Sequence, residues 1–154
     1  MPLMRYLTMS ELRELYQQVI IDHGRHPRNF GALCDATHTK EGFNPLCGDK
    51  ITVYVNKKNG IIQQLQFEGC GCAISMASAS LMTESLTGKS LIDAEQLFSA
   101  FHQLITENKT SDILGKLTVL SGVCEFPTRV KCATLAWHTL KAALNNDTKV
   151  VSTE

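Results

Sequence analysis

The feature that most constrains this chain is a change of hydrophobic period near its midpoint. Ile51, Val53 and Val55 alternate with Thr52, Tyr54 and Asn56, Asn59-Gly60 then marks a tight turn, and Leu65 and Phe67 resume the alternation. A period of two on both sides of Asn-Gly predicts a β-hairpin. A shorter strand is expected around residues 37–42. After Cys72 the period lengthens to three or four. Ile74, Ala77 and Leu81 predict a helix that stops by Gly88. Ser90 is placed to cap a second helix, carrying Leu91, Ala94, Leu97, Phe98, Phe101 and Ile105 on one face. Asp112 is read as the cap of a short third helix with Ile113, Leu117 and Leu120, and Thr128 as the cap of a long last one with Val130, Ala133, Trp137, Leu140 and Leu144. Ahead of the strands, Thr8 and Glu11 have capping-box spacing, and Leu12, Leu15, Tyr16, Val19 and Ile20 recur helically until about Gly24. Residues 24–36 read as a loop.

Strands first and helices after them imply an α+β class, with helices packed on one face of a small antiparallel sheet. The 154 residues suit a single domain. Its core is expected over about residues 8–145, with residues 146–154 a polar, frayed tail. Fifteen Lys and Arg balance fifteen Asp and Glu, so no basic excess points to nucleic acid. No apolar run reaches the ~18 residues of a membrane span. Residues 1–9 lack the features of a secretory signal. A cytoplasmic protein is expected, with neither membrane nor nucleic acid as partner. Six cysteines in that setting read as metal ligands or reactive thiols rather than as a disulfide framework.

Three of the cysteines stand at element boundaries. Cys47 lies in Asn44-Pro45-Leu46-Cys47-Gly48-Asp49, a tight turn before a strand, where thiolate and carboxylate can converge on one ion. Cys72 joins a strand to a helix N-terminus, where the helix dipole lowers a thiol pKa. Cys132 falls in the first turn of the last helix if Thr128 is the cap, near Arg129 and Lys131; a core cysteine on the apolar face is the competing reading. Three thiolates and one carboxylate match tetrahedral zinc, but sequence spacing alone does not bring them together. Cys70 reads as an auxiliary thiol, Cys34 and Cys124 as incidental. The five histidines read as surface or core residues, including the close pair His23 and His26.

Four segments carry a resemblance to a known family. They are Leu15-Tyr16 through His23-Gly24-Arg25-His26-Pro27-Arg28-Asn29-Phe30-Gly31; Asn44-Pro45-Leu46-Cys47-Gly48-Asp49; Phe67-Glu68-Gly69 through Cys72-Ala73-Ile74-Ser75-Met76-Ala77-Ser78-Ala79-Ser80; and Phe126-Pro127 through Arg129-Val130-Lys131-Cys132-Ala133. The chain resembles the IscU/NifU N-terminal family of iron–sulfur cluster assembly proteins, and within it the SufU branch. The resemblance implies a three-stranded antiparallel sheet with helices and a convergence of Cys47, Asp49, Cys72 and Cys132. Cys47 would accept sulfur, and the other three would hold the metal. IscU-type members build and pass on a [2Fe–2S] cluster; they have a His before the last cysteine and a Leu-Pro-Pro-Val-Lys segment. Here Lys131 replaces that His, Glu125 to Lys131 stands in place of that segment, and Leu91 to Ser121 resembles the SufU-type insertion. SufU-type members are similar to zinc-bound sulfurtransferases that take persulfide sulfur from a SufS-type cysteine desulfurase, a pyridoxal-phosphate enzyme, for downstream assembly proteins. The expected function is therefore zinc-dependent sulfur transfer, with a [2Fe–2S] scaffold as the alternative. Arg129, Lys131 and Cys70 are auxiliary candidates. Cys70 departs from the family pattern.

Overall fold

The computed structural model describes residues 8–145 and 151–152. Its first helix, α1 (Met9–Arg25), opens on the expected capping box: Thr8 Oγ1 accepts from Glu11 N–H at 3.1 Å, and Glu11 Oε2 accepts from Thr8 N–H at 2.9 Å. Its apolar stripe is only partly covered. Leu15 stays 39% exposed, and the one buried residue of the helix is His23.

β1 (His38–Asn44), β2 (Asp49–Lys58) and β3 (Ile61–Cys70) form the antiparallel sheet. The Asn59-Gly60 turn has φ of 55° and 73° at its two residues, the left-handed pair that a two-residue hairpin turn requires. β1 runs two residues beyond the expected strand. It ends at Asn44, whose side-chain Oδ1 accepts from Leu46 N–H at 3.2 Å and starts the next turn. The tail departs from expectation. Val151–Ser152 form a short strand, β4, which pairs in parallel with Gly42 and Phe43 and gives a strand order of β3-β2-β1-β4. Residues 146–150 and 153–154 of the expected frayed tail lie outside the described residues.

One face of the sheet presents Ile51, Val53, Val55, Leu65 and Phe67, all at most 2% exposed. Burying a side chain such as Phe67 contributes about 2–3 kcal/mol. α2 (Ala73–Leu86) and α4 (Pro127–Leu144) pack on this face. α3 (Leu91–Glu107) is capped by Ser90, as expected, and leans on α4 through Phe101 stacked 4.2 Å from Trp137. The expected short third helix is instead a 3₁₀ segment over Asp112–Glu125, and Ser111, not Asp112, precedes it. Its buried residues are Leu114, Leu117, Leu120 and Val123, spaced by three. That strict period suits 3.0 residues per turn, and Gly115, at φ 53° and ψ −126°, interrupts the helix. Ile113, expected on the buried face, is 54% exposed. Among the described residues no helix is long and apolar enough to cross a membrane.

Residues 26–31 are strapped along β3, the edge strand at that end of the sheet. Gly31 N–H donates to Phe67 O at 2.8 Å, and Phe67 N–H to Asn29 O at 3.1 Å. Ser80 of α2 is the anchor of this strap. Its hydroxyl oxygen accepts from Arg28 N–H at 2.8 Å and lies 2.7 Å from His23 Nδ1. The other ring nitrogen, Nε2, faces Glu84 Oε1 at 3.7 Å. This is a satisfied core histidine. Burial lowers its pKa, and the Arg28 and Lys116 charges add to that against the opposing effect of Glu84 and Asp22. With the folded value below the ordinary 6.5, the unfolded chain binds more protons at this site, so stability falls as pH drops through 6.5. Denaturant midpoints at about pH 7.5 and pH 5.5 check this. Wild type is expected to lose more on acidification than His23→Gln, and equal losses would contradict it.

Candidate metal and thiol site

The site forms where strand ends meet helix starts. The β1–β2 turn supplies Cys47, which is exposed, and Asp49, the first residue of β2, which is 1% exposed. Cys72 is the N-cap of α2, and its sulfur accepts from Ser75 N–H at 3.5 Å. Cys132 comes from α4 and is fully buried. The ligand atoms of Cys47, Asp49 and Cys132 all lie within 4.8 Å of one another. Cys72 Sγ lies 4.0 Å from Asp49 Oδ2, and Cys72 N–H donates to Asp49 Oδ1 at 3.0 Å. The chain thus brings Cys47, Asp49 and Cys132 together and sets Cys72 against the same carboxylate. Glycine is needed at position 71, because a Cβ there would stand 2.7 Å from Asp49 Oδ1.

Cys47 Sγ and Cys132 Sγ are 3.4 Å apart. A disulfide needs about 2.05 Å, and two sulfurs on one tetrahedral zinc, with bonds of about 2.3 Å, stand roughly 3.8 Å apart. A carboxylate buried beside three thiols is costly without a compensating cation. The donor set, soft sulfur plus one hard oxygen, suits zinc.

The electrostatics of Cys132 differ from the sequence expectation. Phe126 is the N-cap of α4 and Pro127 its first residue, so Thr128 caps nothing and Cys132 sits in the second turn, away from the helix N-terminus. Burial dominates and pushes its pKa well up, with hydrogen bonding to Cys47 and Asp49 adding to the effect. The core-cysteine reading and the ligand reading thus describe one residue: a buried thiol at the inner wall of the cluster. Arg129 lies beside Cys72 and Cys132, whose sulfurs hold its pKa up. Lys131 is half-buried and about 100° round the helix from Cys132. Cys70 pairs with Lys50 at the end of β3, so both project from the sheet face opposite Asp49. That parity takes Cys70 out of the cluster. Cys34 is an exposed loop residue, and Cys124 Sγ lies 3.5 Å from Ser121 O.

Sequence reasoning gave no role to Asn44. The structure buries it fully and directs its Nδ2 at Cys132 Sγ, 3.7 Å away. A polar residue at the start of a Pro-Leu-Cys-Gly-Asp turn was the one available signal.

Comparison with known proteins bears on this geometry. Residues 15–133 match the model of the NifU-like N-terminal domain. The zinc-dependent sulfurtransferase SufU of Bacillus subtilis (strain 168) is 41% identical over 134 residues, covering 86% of this chain and 90% of that protein. The iron–sulfur cluster assembly scaffold protein IscU of Streptococcus pyogenes serotype M1 is 39% identical over 140 residues, covering 90% and 87%. A crystal structure from Fervidobacterium islandicum AW-1, described as a candidate assembly scaffold of the SUF system, superposes with a TM-score of 0.80 at 32% identity, covering 86% and 98%.

Proposed function

The chain belongs to the family of NifU-like N-terminal domains, and from that premise we propose that it serves iron–sulfur cluster assembly by zinc-dependent sulfur transfer, with Cys47 as the accepting thiol. It acts in the cytoplasm as one domain. The observation that carries this reading is the contrast within the cluster: an exposed thiol, Cys47, touching a fully buried one, Cys132, beside a buried carboxylate. Cys47 is the most exposed thiol of the set, ahead of the half-buried Cys72 and the buried Cys132. Asp49, Cys72 and Cys132 are the fixed ligands. When bound, zinc keeps the thiols ionised near neutral pH and holds them in place.

The sulfur donor is a cysteine desulfurase of the SufS type. The Cys47 thiolate attacks the outer sulfur of the partner's cysteine persulfide. The bond between that sulfur and the partner's cysteine breaks, and the partner leaves as a thiolate with the electron pair. Cys47 then carries the persulfide, with no net oxidation, for delivery to downstream assembly proteins. Arg129, at the edge of the cluster, faces the incoming partner.

The test is to incubate the chain with a desulfurase and cysteine, alkylate it, and map the added sulfur by mass spectrometry. Sulfur on Cys47 is expected; sulfur on Cys70 or Cys34 instead would overturn the assignment. A second reading, in which the same residues assemble and hand on a [2Fe–2S] cluster, is favoured by the similarity to a protein named as an IscU scaffold over nearly the same span.

A further inference from the structure

The four residues of the cluster differ in what donates to them. Asp49 Oδ1 accepts from Cys72 N–H at 3.0 Å, and Cys72 Sγ accepts from Ser75 N–H at 3.5 Å. Cys132 Sγ accepts from the side-chain amide of Asn44, whose Nδ2 lies 3.7 Å away. Cys47 Sγ has no N–H donor among the described residues; its polar contact there is the Cys132 sulfur itself.

The strands aim Asn44 at the site. It is the last residue of β1 and pairs directly with Asp49, the first of β2, so the two side chains share one face of the sheet. Both are buried, Asn44 fully. Asn44 Oδ1 accepts from Leu46 N–H at 3.2 Å, which identifies the oxygen end of the amide and turns the nitrogen toward Cys132. The Asn44 carbonyl accepts from Gly48 N–H at 2.8 Å. One residue thus grips both the turn that carries Cys47 and the sulfur of the fully buried Cys132. A cysteine that ligates a metal is a thiolate, a stronger hydrogen-bond acceptor than a neutral thiol, so the amide contact strengthens when metal binds.

We propose that Asn44 is a positioning residue for the metal site, its side-chain amide donating to the Cys132 sulfur and holding that sulfur on the metal. The proposal rests on the metal reading above. It leaves Cys47, which lacks such a donor, as the ligand freest to exchange.

Two variants separate the sulfur contact from the turn contact. Asn44→Ser keeps an oxygen that can accept from Leu46 N–H but is too short to reach Cys132, whereas Asn44→Ala removes both contacts. Zinc affinity by chelator competition and the thiolate charge-transfer band after loading with cobalt(II) are read on each variant and on wild type. Both variants are expected to bind zinc about 10-fold more weakly and to show the cobalt band at longer wavelength, because the sulfur has lost a donor. Wild-type zinc affinity or a wild-type band in Asn44→Ser overturns the proposal, since Asn44 then acts through the turn alone; the metal reading survives that result. Failure of both variants to fold also overturns it, because Asn44 is then required by the fold rather than by the site. A wild-type chain that takes up neither zinc nor cobalt overturns the metal reading and this proposal together.

Discussion

Cys47→Ala is expected to lose sulfur acceptance from a persulfide-loaded desulfurase down to background, with the fold intact. The side chain is exposed in the β1–β2 turn, so its removal leaves no cavity. The turn itself is held by Asn44, through Leu46 N–H to Oδ1 and Gly48 N–H to the Asn44 carbonyl at 2.8 Å. What disappears is the nucleophile. Cys132 cannot replace it, because that thiol is fully buried and its pKa is raised by burial. Cys70 cannot replace it either, since it projects from the other face of the sheet. Desulfurase assays with cysteine, read as persulfide on the acceptor, check this. Full transfer by Cys47→Ala would remove Cys47 from the chemistry.

The second large effect concerns Asp49. Asp49→Asn keeps a carbonyl oxygen for the Cys72 N–H and so should leave metal-free stability near wild type. It removes the one anionic oxygen of the cluster, and zinc affinity should fall by more than about 100-fold, beyond what loss of a ligand's supporting hydrogen bond costs. Asp49→Ala also removes the acceptor of the part-buried Cys72 N–H and should cost about 1 kcal/mol of metal-free stability in addition. Calorimetric or chelator-competition titration of both variants separates the two contributions. Wild-type zinc affinity in Asp49→Asn would show that the carboxylate is not a ligand.

Much of this was legible in the chain where local rules act alone. Asn59-Gly60 set the hairpin because few residues accept two successive left-handed conformations. Thr8 with Glu11 and Ser90 set two helix starts because their side chains reach their own backbone. The misreadings came where two local signals compete or where tertiary contacts decide. Thr128 has the right chemistry for a cap, but Pro127 occupies the first helical position and moves the start of α4 upstream. Leu114, Leu117, Leu120 and Val123 repeat by three, a 3₁₀ signature hidden among residues that also fit a helix. Val151–Ser152 join the sheet by pairing with β1 across a long separation in sequence, which no local pattern encodes.

The site divides the same way. Cys47 with Asp49, Cys72 at a helix start and Cys132 near another were each suggestive locally, yet their convergence, with Cys132 as a ligand rather than a core cysteine, entered only through the family resemblance. The position of Cys132 in the cluster depends on how α4 lies on the sheet, where it crosses β1 and β2. The outward direction of Cys70 follows from its register with Lys50, and register is a property of the paired strands rather than of either one.

The most direct test of the central claim is elemental analysis of metal and acid-labile sulfide in protein purified without oxygen. The account predicts about one zinc per chain and no sulfide, as a single tetrahedral site requires. Iron with matching sulfide would contradict it and establish the cluster-scaffold reading instead.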